Sequence, residues 1–307
     1  MGCEKVGYID LSGYKKPKEH ISSKIENKEI NEVTLEQMHA KAEEIIQINK
    51  IKPEEFLKIY GASVAEDSIK AEKLKEKFAA RMDKNSLECK QYAEVMEGIL
   101  ANCINSINSE NSEKSLGWLG EEVSAMNTTD YDDLENGIDI VTEMTKEGGY
   151  KKHLGLAMDA TFSNKISDKF RGIKGEIVRG ELAELKYFKS GNFKGSLSQI
   201  PHVVIGVSLG KIKELGKMWV NGDMEGLKNH PVQYQILEEM IIQLETFEKY
   251  ALKCGKEDLA KVYRDNCETL KQIKAEKEKV LPDTGERDHI FGNIKKEMDN
   301  FMIDRGR

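Results

Sequence analysis

Two aspartates lie within apolar runs of the sequence, where a charged side chain is unexpected. Asp139 occupies the run GIDIV, and Asp159 follows twenty residues later in the run LAMDATFS. A buried carboxylate is strongly destabilising unless a cation or hydrogen-bond donors compensate its charge. Two such groups close together also repel each other unless a cation lies between them. The pair therefore predicts an oxygen-rich site for a divalent ion, Mg²⁺ or Mn²⁺.

The elements that must position these aspartates are two neighbouring strands. Side chains alternate between the two faces of a strand, so Asp159 shares its face with Ala157 and Thr161. The segment KEGGYKK resembles a hairpin turn between the two apolar runs. If the strands pair through this turn, both carboxylates lie on one side of the sheet. We therefore expect the carboxylates of Asp139 and Asp159 to approach within about 6 Å, close enough to share metal ions.

The segments around these runs predict a small mixed α/β sheet flanked by helices. An apolar stripe predicts an amphipathic helix over residues 164–180, and alternating or β-branched runs predict strands over 181–190 and 202–208. Before the first aspartate, the segment SLGWLGEEVSAM predicts a short helix. Residues 136–208 should therefore hold a single small sheet.

The rest of the chain has helical periodicity and divides the sequence into three predicted regions. These are a helical N-terminal region (1–112), an α/β core (113–210) and a C-terminal helical region that packs on the core (211–307). The first region contains a capping box, TLEQ, and a proline at the start of PEEFLKIYG. In the last region, Gly255 separates two long helical segments and predicts a helical hairpin.

Composition and charge narrow the possible functions. The 307 residues carry a net charge of −7, which argues against a protein that coats nucleic acid by bulk electrostatics. Residues 151–198 nevertheless contain ten Lys or Arg against five Asp or Glu. A solvated helix face explains this excess as well as an anion-binding surface does. Five scattered cysteines, no paired histidines and no phosphate-binding glycine motif argue against zinc, disulfides and a P-loop.

The sequence contains no apolar run of the roughly 18 residues that a membrane span requires. Its first residues also lack the apolar core of a signal peptide and a complete myristoylation motif. We therefore expect a cytoplasmic protein without membrane contact. The long C-terminal helical hairpin is a predicted surface for homodimer formation.

The order of these motifs resembles the PD-(D/E)xK nuclease superfamily. The resemblance covers residues 115–208, in which GID supplies Asp139 and DAT supplies Asp159. It implies a restriction-endonuclease-like core, metal ligands at both aspartates, and an acidic residue on a preceding helix. Glu121 fits the helix pattern by its spacing from Gly117, whereas Glu122 lies nearer the apolar stripe of that helix. Both glutamates are therefore candidate site residues, with Glu121 the candidate metal ligand.

The sequence departs from the superfamily pattern at Thr161, which occupies the place of the strand lysine. Some members of the superfamily carry this lysine on the following helix. Lys169 and Lys174 flank the apolar stripe of the predicted helix 164–180, and Lys169 lies nearer its start. We therefore predict Lys169 as the catalytic lysine, unless it only extends its charge from the edge of the core into solvent. Lys165, Arg171 and Lys174 are the predicted nucleic-acid contacts.

The resemblance implies metal-assisted hydrolysis of phosphodiester bonds, with DNA rather than RNA as the expected substrate. Two alternatives belong to other functional classes. The first is a catalytically inactive protein of the same fold that acts as a binding or assembly module. The second is a helical interaction protein whose sheet has only a structural role, which predicts that Asp139 and Asp159 lie far apart or on opposite faces.

Overall fold

Helices make up most of the described chain and flank a small mixed β-sheet, as predicted. The computed structural model describes residues 32–105, 117–120, 122–145, 151–159, 165–191 and 193–303. The N-terminal helices are α1 (Leu35–Asn49), α2 (Leu57–Tyr60), α3 (Ser63–Ala79) and α4 (Lys84–Asn105), with a 3-10 turn at Pro53–Phe56. The later helices are α5 (Asp130–Asn136), α6 (Lys165–Arg179), α7 (Leu209–Val220), α8 (Met224–Lys228), α9 (Val232–Lys253), α10 (Glu257–Glu278) and α11 (His289–Phe301).

Several predicted helix signals are present in the structure. The Thr34 hydroxyl and the Gln37 side chain form the predicted capping box at the start of α1. Pro53 occupies the first turn of the 3-10 segment that leads into α2. Gly255 has a φ of +69°, which ends α9 and lets α10 fold back against it. The predicted C-terminal helical hairpin is therefore confirmed.

The main sheet contains four strands in the order β1-β2-β3-β6. They are β1 (Val123–Asn127), β2 (Ile140–Thr145), β3 (Lys151–Asp159) and β6 (His202–Gly206). The first three strands form an antiparallel meander, and β6 pairs in parallel with β3. Ile140 of β2 lies opposite Leu156 of β3. The predicted pairing of the two apolar runs is therefore confirmed.

The structure corrects the prediction of a helix in SLGWLGEEVSAM. Its last residues belong to β1, in which Val123 and Ala125 are buried and the alternate positions are half-buried. Leu119, Val123 and Met126 are spaced like a helical stripe, but the same stretch also alternates with a period of two. Pairing with β2 decides between the two patterns, because it satisfies the backbone groups of β1.

The prediction that residues 181–190 join the main sheet is also wrong. They form β4 (Ala183–Ser190), which pairs with β5 (Phe193–Ile200) in a two-stranded sheet separate from the main one. Leu185, Tyr187 and Phe188 are buried in one cluster with Val141 of the main sheet. The β4–β5 hairpin therefore covers one face of the sheet instead of extending its edge.

The opposite face of the main sheet contributes to the larger hydrophobic core. Ile140, Leu156 and Ile205 lie there in one cluster with buried side chains from all three predicted regions of the chain. Residues Val33–Arg307 form one compact unit. None of the described helices combines the length and the apolar composition that are needed to cross a lipid bilayer.

The outer edge of β6 is covered by polar side chains of α9. The Gln243 amide both donates to the Val204 carbonyl and accepts from the Val204 N–H, at 2.8 Å in each case. One turn earlier, Glu239 Oε2 accepts from the Gly206 N–H at 3.0 Å, and Gln235 donates to the Gly206 carbonyl at 3.1 Å. Four residues of helix rise about 6 Å, which is close to two residues of a strand. The helix and the strand edge therefore remain in register.

The outer edge of β1 is covered in a similar way. Asn105, the last residue of α4, donates its side-chain amide to the Ala125 carbonyl and accepts from the Ala125 N–H, at 2.8 Å in each case. The Ile51 N–H donates to the Asn127 carbonyl at 2.9 Å. Buried backbone groups at both edges of the sheet are thus paired without another strand.

Candidate active site

Asp139 lies at the turn between α5 and β2, and its backbone is fixed on both sides. Its N–H donates to the Leu156 carbonyl of β3 at 3.0 Å, and its carbonyl accepts from the Thr128 N–H at 3.0 Å. Gly137 precedes it with a φ of +66°, a left-handed conformation that favours glycine and ends α5. The chain therefore presents Asp139 at one end of the β2–β3 pair.

Asp159 is the last residue of β3, where it lies in register with Gly206 of β6. Because Ile140 is opposite Leu156, the alternation of faces puts positions 139 and 159 on the same side of the sheet. The side chain of Asp159 lies outside the described part of the structure. The predicted approach of the two carboxylates within about 6 Å therefore remains a prediction.

A second aspartate contacts Asp139 from helix α5. The carboxyl groups of Asp133 and Asp139 are joined by a hydrogen bond. Burial raises the pKa of Asp133 well above its usual range, and the negative charge and hydrogen bond of Asp139 raise it further. A hydrogen bond between two carboxyl groups requires a proton on one of them. Without a cation, this contact is therefore favourable only when Asp133 carries a proton.

A third carboxyl group reaches the same place from helix α4. Burial raises the pKa of Glu97 well above its usual range, and the negative charges of Asp139 and Asp133 raise it further. The Asn127 side-chain amide of β1 donates to Glu97 Oε1 at 2.6 Å. We call Glu97, Asp133 and Asp139 the acid site. It joins an N-terminal helix, the α5 helix and the start of β2.

Among the described residues, Lys50 carries a positive charge near the acid site. Its positive charge lowers the pKa of Glu97 and of Asp133, but by less than burial raises it. Its ammonium group also forms an ion pair with Asp130, to which Lys75 binds at 2.6 Å. Lys50 therefore offsets the charge of the acid site only in part.

Lys169, the predicted catalytic lysine, lies on α6 near the start of β6. Burial lowers the pKa of His202 to about 4, and the positive charge of Lys169 contributes to this shift. His202 lies in register with Gly155 of β3, which is four residues before Asp159. Lys169 is thus near the strand that carries Asp159, while its approach to the Asp159 carboxylate remains a prediction.

The three predicted nucleic-acid contacts on α6 have different surroundings. Arg171 is exposed and forms an ion pair with Asp168 one turn earlier. Lys174 instead donates to the Phe301 carbonyl at 2.7 Å and lies 4.7 Å from the centre of the Tyr250 ring. The ammonium group of Lys174 therefore stabilises the C-terminal end of α11. The side chain of Lys165 lies outside the described residues.

Of the two glutamates proposed as helix ligands, Glu122 does not lie on a helix. Glu122 is exposed and directly precedes β1, and its carbonyl accepts from the Thr145 N–H at 2.8 Å. Glu121 lies outside the described residues. From Val123 onward, β1 replaces the helix on which both candidates were predicted to lie. The prediction that Glu122 lies near the apolar stripe of that helix is therefore wrong. The acidic side chain that a preceding helix does provide is Glu97.

The β4–β5 hairpin carries positive charge on the same face of the sheet. Lys189 and Lys194 share a single carboxylate, that of Glu55, at 2.6 and 3.3 Å. The hairpin is attached to α5, because the Lys186 N–H donates to Asp132 Oδ1 at 2.8 Å. Asp132 thus anchors the hairpin, while the next residue of α5 belongs to the acid site.

The described residues contain no group of three His, Cys, Asp or Glu side chains arranged to hold a metal ion. The Asp159 side chain, a predicted ligand, is not part of that set. No family model, no curated protein and no solved structure matches this chain. The functional assignment therefore depends on the chain's own residues.

Proposed function

We propose that this protein is a Mg²⁺-dependent nuclease that hydrolyses phosphodiester bonds, with DNA as the preferred substrate. The observation that carries the proposal is the acid site, where Asp133 and Asp139 contact each other and the negative charges of both raise the pKa of the buried Glu97. A fold gains nothing from such repulsion, and an ion between the carboxylates would relieve it. Perturbed acids of this kind are typical of functional sites.

The donor set of this site fits a hard divalent cation. All its charged groups are carboxylates, which suit Mg²⁺ or Mn²⁺. In the proposed site, Asp139, Asp159 and Glu97 would hold the ion, and Glu97 takes the part that the sequence suggested for Glu121. A bound ion would lower the pKa of a water molecule and polarise the phosphate.

The order of secondary structure supports the resemblance to the PD-(D/E)xK superfamily. Helix α4, which carries Glu97, precedes β1, β2 and β3, after which α6 and the β4–β5 hairpin lead to β6, the strand that pairs in parallel with β3. Asp139 directly precedes β2 and Asp159 ends β3, which is close to the arrangement that the resemblance implies. This agreement concerns element order and motif position, and a restriction-endonuclease-like core is part of the proposal.

The remaining residues of the proposed mechanism bind and orient the substrate. Lys169 would stabilise negative charge that develops on the phosphate, because a fixed cation in a partly buried site has this effect. Lys189 and Lys194 outnumber the carboxylate they share, so their hairpin attracts the phosphate backbone. Lys165 and Arg171 would add contacts from α6.

A cleavage assay tests the proposal directly. Purified protein is incubated with labelled single-stranded, duplex and branched DNA and with RNA, in Mg²⁺, Mn²⁺ or EDTA. We expect cleavage of DNA with either metal and none in EDTA. Asp139→Asn should abolish it, whereas Glu135→Gln, an exposed acid on α5, should not. Cleavage that persists in Asp139→Asn or Asp159→Asn would refute the assignment.

One sequence observation favours a second candidate function. Thr161 occupies the place of the strand lysine, and without a replacement from α6 the site would lack its catalytic cation. The protein would then be a binding or assembly module of the same fold. Nucleic-acid binding without cleavage in any metal would support this alternative.

A further inference from the structure

Asn127 carries a buried oxygen that has no hydrogen-bond partner among the described residues. The residue is only 1% exposed, and its Oδ1 atom is unpaired. Buried amide oxygens in folded proteins nearly always accept a hydrogen bond or bind a cation or ordered water. The unpaired atom of Asn127 is therefore available to a ligand, and its surroundings decide which one.

The position of this amide is fixed by the strands around it. Asn127 is the last residue of β1 and lies in register with Ile140, next to Asp139. Its backbone carbonyl accepts from the Ile51 N–H, and its side-chain nitrogen donates to Glu97 Oε1 at 2.6 Å. Oδ1 belongs to the same planar amide as the nitrogen that contacts Glu97, so it lies next to the acid site.

The contact with Glu97 sets the orientation of this amide. Its nitrogen donates to Glu97 Oε1, so the unpaired oxygen occupies the other corner of the amide group. Amide oxygens are ordinary ligands of hard divalent cations.

We infer that Asn127 Oδ1 is a neutral oxygen ligand of the divalent cation at the acid site, bound directly or through one water molecule. Its side-chain nitrogen also holds the Glu97 carboxylate in the orientation that binds the cation. This inference rests on the proposed metal-dependent function and adds a residue that the sequence motif does not include.

The chain provides a matched control for this inference. Asn266 of α10 is also buried, donates its side-chain nitrogen to the Val262 carbonyl at 3.0 Å, and leaves its Oδ1 unpaired. It lies on the C-terminal helical hairpin, and no carboxyl group is its hydrogen-bond partner among the described contacts. If the unpaired amide oxygen mattered only for folding, its replacement would have the same effect at Asn127 and at Asn266.

The test measures Mn²⁺ binding to the full chain by isothermal titration calorimetry, without substrate. Asn127→Leu should weaken Mn²⁺ binding by tenfold or more, the usual scale for loss of a group that supports a metal site. Asn266→Leu should bind Mn²⁺ like the natural protein. Wild-type affinity in a folded Asn127→Leu variant, judged by circular dichroism, would overturn the inference.

A second variant covers the case in which Asn127→Leu does not fold. Asn127→Asp keeps an oxygen at the same place and adds a charge that only a cation can compensate. Its melting temperature should be lower than that of the natural protein in EDTA, and Mn²⁺ should raise it by a larger amount. An equal or smaller rise would contradict the role of this position as a ligand.

The outcomes separate this inference from the proposed function. If the natural protein binds no Mn²⁺, the metal-dependent function fails, and the inference fails with it. Mn²⁺ binding that Asn127→Leu leaves unchanged refutes the inference alone. If Asn127→Leu loses Mn²⁺ but the natural protein cleaves no nucleic acid, Asn127 remains a ligand and the nuclease assignment is wrong.

Discussion

The acid site and the buried Glu239 on α9 are two solutions to the same electrostatic problem. Burial raises the pKa of Glu239 well above its usual range, as it does for Glu97 and Asp133. Yet Glu239 accepts from the Gly206 N–H and from the Gln235 amide, both at 3.0 Å. Its two oxygens are therefore paired within the fold.

The difference lies in what faces each acid. Both oxygens of Glu239 accept from donors that belong to the fold, although the charge of Asp288 also raises its pKa. A raised pKa alone, or a neighbouring acid alone, therefore does not identify a functional site in this molecule. The distinguishing feature is direct contact between two carboxyl groups, Asp133 and Asp139, near an unpaired amide oxygen, a combination that points to a cation.

The largest expected effect is the loss of cleavage activity when a residue of the acid site is replaced. Asp139→Asn should reduce Mg²⁺-dependent cleavage by about a thousandfold, the scale of losing a main electrostatic contribution to catalysis. In EDTA the same variant should be as stable as the natural protein or slightly more stable, because one repulsive charge is gone. Single-turnover cleavage and thermal melting measure these effects, and reduced stability in EDTA would contradict the repulsion argument.

The next prediction concerns the lysines of α6. Lys169→Ala should reduce turnover by about a hundredfold, as expected for one electrostatic stabiliser, with Mn²⁺ affinity nearly unchanged. Lys174→Ala is the matched control, since its ammonium group binds the end of α11. It should lower the free energy of unfolding by about 1 kcal/mol and leave turnover intact. If Lys169→Ala has normal turnover, another residue provides the catalytic cation.

The third prediction tests whether Glu239 is purely structural. Glu239→Leu should lower the free energy of unfolding by about 2 to 3 kcal/mol, because the Gly206 N–H loses its buried acceptor. Glu239→Gln keeps an acceptor and should cost less than about 1 kcal/mol. Urea unfolding with and without Mg²⁺ measures both variants. A Mg²⁺-dependent difference between them would undermine the comparison with the acid site.

The smallest expected effect is a difference in pH dependence. Glu97 and Asp133 have folded pKa values above their unfolded values of 4.5 and 3.8. Their contribution to stability is therefore complete below the unfolded values and is lost as pH rises through the folded values. Without metal, the melting temperature should fall over this range more steeply than in Asp139→Asn. A difference of about 1 kcal/mol corresponds to about 2 to 4 °C.

Saturating Mg²⁺ should remove most of this pH dependence, since it favours the ionised acids. Glu239→Gln provides the contrast, because Glu239 also has a raised pKa but no proposed metal contact. Its effect on the pH profile should be the same with and without Mg²⁺. Identical Mg²⁺ responses of Asp139→Asn and the natural protein would argue against a cation at the acid site.

Much of the fold could be predicted from the sequence where one periodicity prevails. The Ile166, Phe170, Ile173 and Ile177 stripe predicted α6, and the paired apolar runs predicted β2 and β3. The prediction failed where short segments fit two periodicities, as in β1, or where a strand pairs outside the main sheet, as in β4. In both cases tertiary pairing, which no local pattern reveals, decides the outcome.

The site could be predicted only in part. Asp139 was evident because it interrupts an apolar run, and the same signal exists at Glu97, between Met96 and Gly98 in a mostly apolar stretch of α4. That stretch resembled an ordinary core helix, so its carboxylate was not considered. Asp133 offered no signal, because its neighbours are acidic and resemble a solvated turn. Only the fold brings these residues together.

The carboxamides at the two edges of the main sheet have a consequence for association with other chains. A side-chain amide presents the same C=O and N–H pair as a peptide group, so Asn105 and Gln243 each act as a one-residue strand. An incoming peptide would have to displace them before it could add to the sheet. The protein is thereby protected against edge-to-edge aggregation at these positions. Any β-strand addition by a partner would require α4 or α9 to move away first.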